Sequence, residues 1–158
     1  MTSMLKTGIA AIAFAATMAT SAFADANHVN ITSTDLALRG VDPVSYFTEG
    51  EPLDGQVNIT SEYNGAVYRF ISEETKALFE AEPERYAPQY GGFCAFGLAN
   101  GYKFDGDPEI WEIVDDKLYL NLSPAVQDRW TQDIPKFIQA AEGHWTEVKD
   151  VAPADLNP

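Results

Sequence analysis

Hydrophobic residues fall into two regimes along this chain. Residues 8–18 form an apolar run rich in alanine, whereas from Leu36 onward apolar positions come in short periodic groups separated by turn residues. The first group opens at Asp42-Pro43-Val44-Ser45-Tyr46-Phe47, where an aspartate cap followed by proline predicts a short helix closing at Gly50. Residues 51–57, with Pro52 and Gly55, read as a loop. Residues 58–63 and 66–71 then flank Asn64-Gly65, a dipeptide that tolerates the positive φ angles of a type I′ turn, so an antiparallel hairpin is expected. Alternation on its second strand puts Tyr68 and Phe70 on the core face. Ser72 is placed to cap the next helix, with Glu73 and Glu74 favourable in its first turn. Ala77, Leu78 and Ala81, with Phe79 beside them, are its expected packing face, and Pro83 its end, with one further turn over 84–86.

A second hairpin is predicted from residues 111–114 and 117–122 around Asp115-Asp116, with Leu118, Leu120 and Leu122 on one face and Tyr119 and Asn121 on the other. Ser123-Pro124 opens a helix. Asp133 restarts it, with Ile134, Phe137, Ile138, Ala141 and Trp145 forming a stripe of helical period. Residues 150–158 carry two prolines and little apolar material and read as a loose tail. The expectation is a small single α+β domain, with two antiparallel hairpins packed against short helices and a C-terminal helical segment. No internal repeat is read from the sequence.

Lys6 before the apolar run and Ala22-Phe23-Ala24 after it give the n-region, h-region and small-x-small site of a cleaved secretory signal spanning residues 1–24. Thr17, Thr20 and Ser21 interrupt the run, which argues against a membrane-spanning anchor. A periplasmic or secreted chain of residues 25–158 is therefore expected, with the domain over 25–149, and with no membrane insertion once the signal is gone. The formal net charge is −14, and the leader accounts for only one basic residue. Such a surface repels nucleic acid and anionic lipid and attracts cations or a basic protein partner. Cys94 is the single cysteine, so no internal disulfide staples the fold.

Tyr63, Gly65, Tyr68, Phe70, Ser72, Phe79, Pro83 and Tyr86, preceded by Asp42-Pro43-Val44, resemble the YHS domain pattern over a core of about residues 40–90. The stretches 40–47, 86–95 and 118–122 are similar to the longer, exported single-domain YHS proteins of Gram-negative bacteria, over Leu38 to Trp145. In that family many members hold a metal through paired cysteines, beside copper-transporting ATPases or in multicomponent hydroxylases. Here the corresponding places hold Ser45, Ile71 and Thr75, which implies that the family's paired-cysteine site is absent.

What remains is Cys94, preceded by Gly91-Gly92, which admit close approach of another group, and walled by Tyr46, Tyr90 and Phe93. Three readings of this constellation stand. In the first, which the resemblance favours, Cys94 with His144 holds copper as a soft ion, since thiolate and imidazole suit Cu(I). In the second, Cys94 is a nucleophile or redox thiol activated by a base such as His144. In the third, Tyr46, Tyr90, Gly91, Gly92 and Phe93 line a groove for a small molecule or peptide while the thiol packs. No Cys-x-x-Cys, Gly-x-Ser-x-Gly or His-Glu-x-x-His pattern is present, so no named enzyme class is indicated. Asp105, Asp107 and Glu109 lack the spacing of an EF-hand and read as part of a turn; His28 reads as solvated, and Trp111, Trp130 and Trp145 as core.

Overall fold

The computed structural model describes residues 28–158. The expected signal at 1–24 lies outside the described residues. Two antiparallel hairpins, each followed by helices, organise the chain as a mixed α+β domain. The first half runs through α1 (Ser45–Thr48), β1 (Gln56–Tyr63), β2 (Ala66–Phe70), α2 (Glu73–Ala81) and α3 (Pro83–Tyr86). The second runs through α4 (Ala95–Ala99), β3 (Asp107–Val114), β4 (Lys117–Asn121), α5 (Pro124–Trp130) and α6 (Ile134–Val148), ending in a helical turn α7 (Pro153–Leu156). Among the described residues no helix is long and apolar enough to cross a membrane.

Local chemistry accounts for these elements. Asn64 and Gly65 both have positive φ, as the I′ turn demands, and Asp115 and Asp116 do the same in the second hairpin. The Ser72 hydroxyl accepts the Thr75 N–H at 3.1 Å and the Ser72 N–H returns to the Thr75 hydroxyl at 3.3 Å, a complete capping box. Ser123 caps α5 in the same way, through the Val126 N–H. Tyr68 and Phe70 are buried as the strand alternation requires.

Several expectations are corrected. The two first strands begin at Gln56 and Asp107, inside segments read as loop and turn, because each carries a bulge that lets polar residues continue the ladder. Ala77, Leu78 and Ala81 face outward, with Leu78 39% exposed. The face of α2 that packs is Thr75 and Phe79, one helical turn apart, and Phe79 contacts the rings of Tyr63, Tyr68 and Phe70. Both faces of β4 are buried, whereas Leu122 lies beyond it and is exposed. In place of a loose tail, the last residues are docked: the Asn157 side chain accepts the Lys103 N–H at 3.0 Å and donates to the Lys103 carbonyl at 2.8 Å.

The two halves are also the same structure repeated. The pairs Gln56–Phe70, Thr60–Arg69 and Tyr63–Ala66 recur as Asp107–Asn121, Trp111–Leu120 and Val114–Lys117, a constant shift of 51 residues that preserves even the position of the bulge. At that same shift Ser72 corresponds to Ser123, Tyr68 to Tyr119 and Phe79 to Trp130. Phe79 stacks on Tyr68 at 4.8 Å and Trp130 on Tyr119 at 5.6 Å. Ahead of each hairpin lies a run of three left-handed residues, Leu38-Arg39-Gly40 and Tyr90-Gly91-Gly92. The Gly55 N–H donates to the Gly40 carbonyl in one half, and the Gly106 N–H to the Gly92 carbonyl in the other. The equivalence also explains an orphan. Trp130 fills a place where the first half has phenylalanine, and its buried indole N–H has no partner.

The halves differ at their ends. Helix α3 stops at Tyr86, but its counterpart α6 continues to Val148 and leads into the docked tail.

Candidate functional site

Cys94 has a counterpart in the repeat, and that counterpart is Asp42. In the first half the Asp42 N–H donates to the Leu53 carbonyl, while the Asp42 carboxylate accepts the N–H groups of Val44 and Ile71, each at 2.8 Å. In the second half the Cys94 N–H donates to the Phe104 carbonyl and its sulfur accepts the Gly97 N–H at 3.3 Å, while the N–H groups of Leu122 and Phe96 lie close enough to favour its thiolate, that of Phe96 bonding to the Asn121 side-chain oxygen at 3.1 Å. Leu122 is the equivalent of Ile71. Each side chain therefore ties the start of a short helix to the residue that follows a hairpin.

The thiol is only 1% exposed and lies 3.6 Å from the Asn121 side-chain oxygen. Asn121 passes the contact on, donating to Gln127 at 2.5 Å, and Gln127 donates to the Trp111 carbonyl. Burial pushes the Cys94 thiol up from its ordinary range, against the opposing effect of the three N–H groups. A reactive thiol needs the reverse shift and an open approach.

The other residues singled out in the sequence divide. Tyr46 donates its hydroxyl to the Pro108 carbonyl at 2.9 Å and packs edge-on against Trp111, joining the halves. Its phenol is raised above the usual range, first by burial and then by Glu109 and Asp107. Phe93 is buried under the Lys103 ammonium, 5.1 Å from its ring centre. Cys94 caps the start of α4, whereas His144, on α6, lies against Gly101 beyond the other end of that helix. Among the described residues, no group of three or more His, Cys, Asp or Glu side chains is gathered in a way that could hold a metal ion. The described residues therefore gather no multi-donor cluster of the kind that a stable soft-metal site recruits.

Tyr90 and Gly91 do reach a cavity. A cleft of about 440 Å³ opens over this turn. One wall comes from the first half, with Tyr63, Asn64 and Glu84; the other is the part of α6 and its sequel that has no counterpart there, with Trp145, Lys149 and Asp150. Tyr90 forms the floor: its ring lies 5.8 Å from Tyr119 and 6.0 Å from Trp145, and its hydroxyl donates to the Ile138 carbonyl at 3.4 Å. Burial, then Tyr119 and Glu142, hold the Tyr90 phenol protonated through the whole neutral range. His28 stands at the mouth and is half-buried rather than solvated. The lead-in segment crosses the turn here, the Asn30 N–H donating to the Gly91 carbonyl at 2.8 Å. A larger groove of about 810 Å³ runs between residues 81–85 and the second hairpin turn, but Glu82, Arg85, Asp115, Asp116 and Lys117 make it an exposed charged surface.

Sequence reasoning missed Lys103. It is 1% exposed, its ammonium donates to the carbonyls of Lys149 at 2.6 Å and Val151 at 2.8 Å, and the Phe93 and Trp145 rings lie 5.1 and 5.4 Å away. Buried lysines are rare, and only the flanking aromatics Tyr102 and Phe104 hinted at one.

Residues 44–90 match the family model of the YHS domain. Comparison with curated proteins and with solved structures finds no match. The matched segment falls in the first half, and the second half repeats its architecture outside the match. The three positions where the resemblance places metal cysteines serve the backbone instead. Ser45 donates to the Asp42 carbonyl and accepts the Leu53 N–H, Ile71 donates its N–H to Asp42, and Thr75 closes the capping box.

Proposed function

We propose, with the YHS match over residues 44–90 as premise, that this chain is an exported binding module that works without a metal, and that its ligand is a small organic ammonium ion held in the Tyr90 cleft. The observation that carries the reading is the cleft itself: Tyr90 on the turn, Tyr63 and Tyr68 from the first hairpin, and Trp145 from the part of α6 that the first half lacks. These four aromatic side chains stand among polar and charged groups that include Asn64, Glu84, Lys149 and Asp150, and a concave site of this size with convergent polar groups is a usual form of small-ligand site. The sign of the ligand follows from charge. The net charge of −14 draws cations toward the surface, Glu84 and Asp150 stand on the cleft lining against the Lys149 cation, and the rings of Tyr63, Tyr68 and Tyr90 favour an ammonium group. Export rests on the leader pattern of residues 1–24.

The test is a calorimetric or NMR titration with three compounds of one carbon skeleton: 2-phenylethylamine, 2-phenylethanol and phenylacetate. The amine is expected to bind best and the acid least. Glu84→Gln should weaken the amine by about two- to fivefold, the range of an exposed ion pair, and leave the alcohol unchanged. Equal or tighter binding of the acid, or no amide shifts at Tyr90, Gly91 and Trp145 with any of the three, overturns the proposal.

A further inference from the structure

Lys103 sits on the short connection between α4 and β3, yet its side chain serves the far end of the chain. Its ammonium donates to the carbonyls of Lys149 and Val151, where α6 ends. A cation there meets the negative end of a fifteen-residue helix. Asn157 brackets the Lys103 backbone from the other side, through both its N–H and its carbonyl. One residue therefore fixes the segment 149–157 by side chain and backbone together. That segment supplies Lys149 and Asp150 to the cleft, and Trp145, one turn earlier, touches both Lys103 and Tyr90.

We propose that Lys103 is a positioning residue for the cleft: by capping α6 and clamping the C-terminal segment it sets one wall, and release of that segment opens the site. The proposal rests on the binding reading above for what the cleft holds, but the clamp itself is independent of any ligand.

The clamp carries a pH dependence of definite sign. Burial lowers the Lys103 pKa to about 8 from 10.5, with Asp150 opposing the shift. Lys149, whose carbonyl it meets, is itself a charged residue, and His144 on the same helix lies against Gly101, two residues before Lys103. With the segment released, Lys103 returns toward its ordinary value. Between about pH 8 and 10.5 the released state then binds more protons, so docking strengthens as pH rises through that window and is weakest below it.

The experiment is NMR on the whole protein, following the Lys103 side-chain Cε resonance and the opening of amides 151–157 by hydrogen exchange, corrected for intrinsic rates. Lys103 is expected to titrate near pH 8, and opening of the segment to fall by about tenfold or more between pH 7 and 9.5. The amides of Gln89 and His28, on parts of the cleft outside the segment, should shift with the same midpoint. Lys103→Met should remove the pH dependence, while Asn157→Ala should raise opening and keep it. A Lys103 midpoint at the ordinary lysine value, opening that ignores pH, or the same profile in Lys103→Met overturns the clamp. Titration of the segment without a shift at Gln89 and His28 overturns its coupling to the cleft. None of these readouts contains a ligand, so failure of the ammonium reading leaves them intact, and the reverse.

Discussion

Gly91→Ala is expected to destabilise the protein by about 3 kcal/mol, measured as a fall in the midpoint of chemical denaturation at unchanged slope. The cause is steric. A Cβ at this position would stand 1.9 Å from the His28 carbonyl oxygen and 2.9 Å from the Val29 Cα, all backbone that cannot rotate away. Left-handed geometry is the smaller part, since Tyr90 beside it adopts a φ of 55° with a full side chain. The segment around His28 must be pushed off the turn, which forfeits the hydrogen bond from Asn30 to Gly91 and the burial of Val29. Because that turn floors the cleft, binding of 2-phenylethylamine should be lost in the same variant. Gly143→Ala supplies a control of opposite sign. It lies inside α6 with nothing within 4 Å of the added carbon, so alanine should stabilise by about 0.5–1 kcal/mol through helix propensity.

The second large effect is expected at Asp42. This carboxylate is fully buried, and its two oxygens accept from two backbone donors that belong to different elements, Val44 at the start of α1 and Ile71 at the end of β2. Asp42→Ala removes both acceptors at once. Each stranded N–H costs about 1–3 kcal/mol, giving a loss of about 3–4 kcal/mol against wild type. Asp42→Asn keeps one acceptor oxygen and turns an NH₂ toward the other donor, so it should recover only part of that loss. In the equivalent place of the second half, Cys94→Ser keeps an acceptor of similar shape and is expected to be much milder, about 1 kcal/mol.

The contrast between those two positions indicates how much of the site was written in the chain. Hairpins and caps were legible, because Asn64-Gly65, Asp115-Asp116, Ser72 and Ser123 act through local backbone chemistry that needs no tertiary context. The packing face of α2 was not. Leu78 outranks Thr75 on any hydrophobicity scale, but the hairpin offers its aromatic surface to Thr75 and Phe79, and Thr75 is satisfied by its own capping box. The repeat escaped notice because its sequence identities are sparse. Gly50, Asp54-Gly55, Tyr68 and Ser72 answer to Gly101, Asp105-Gly106, Tyr119 and Ser123, while register and bulges are conserved in backbone geometry alone. Cys94 drew attention as the lone thiol, and only its pairing with Asp42 across the repeat reveals its structural task. Of the groove residues expected around it, Tyr90 and Gly91 line the cleft, whereas Tyr46 bridges the halves through Pro108 and Phe93 packs beneath Lys103. Charged side chains that end up buried are the hardest to foresee. Lys103 reads as surface, and its burial depends on a helix end and a tail that lie far along the sequence.

The central claim is that recognition belongs to the aromatic cleft and that Cys94 serves the fold. It is tested most directly by an anaerobic Cu(I) titration of wild type and Cys94→Ser against a competing chelator, in the presence and absence of 2-phenylethylamine. The account predicts weak copper binding that is equal in the two proteins and an amine affinity that ignores both copper and the substitution. Tight copper binding in wild type that disappears in Cys94→Ser would contradict it.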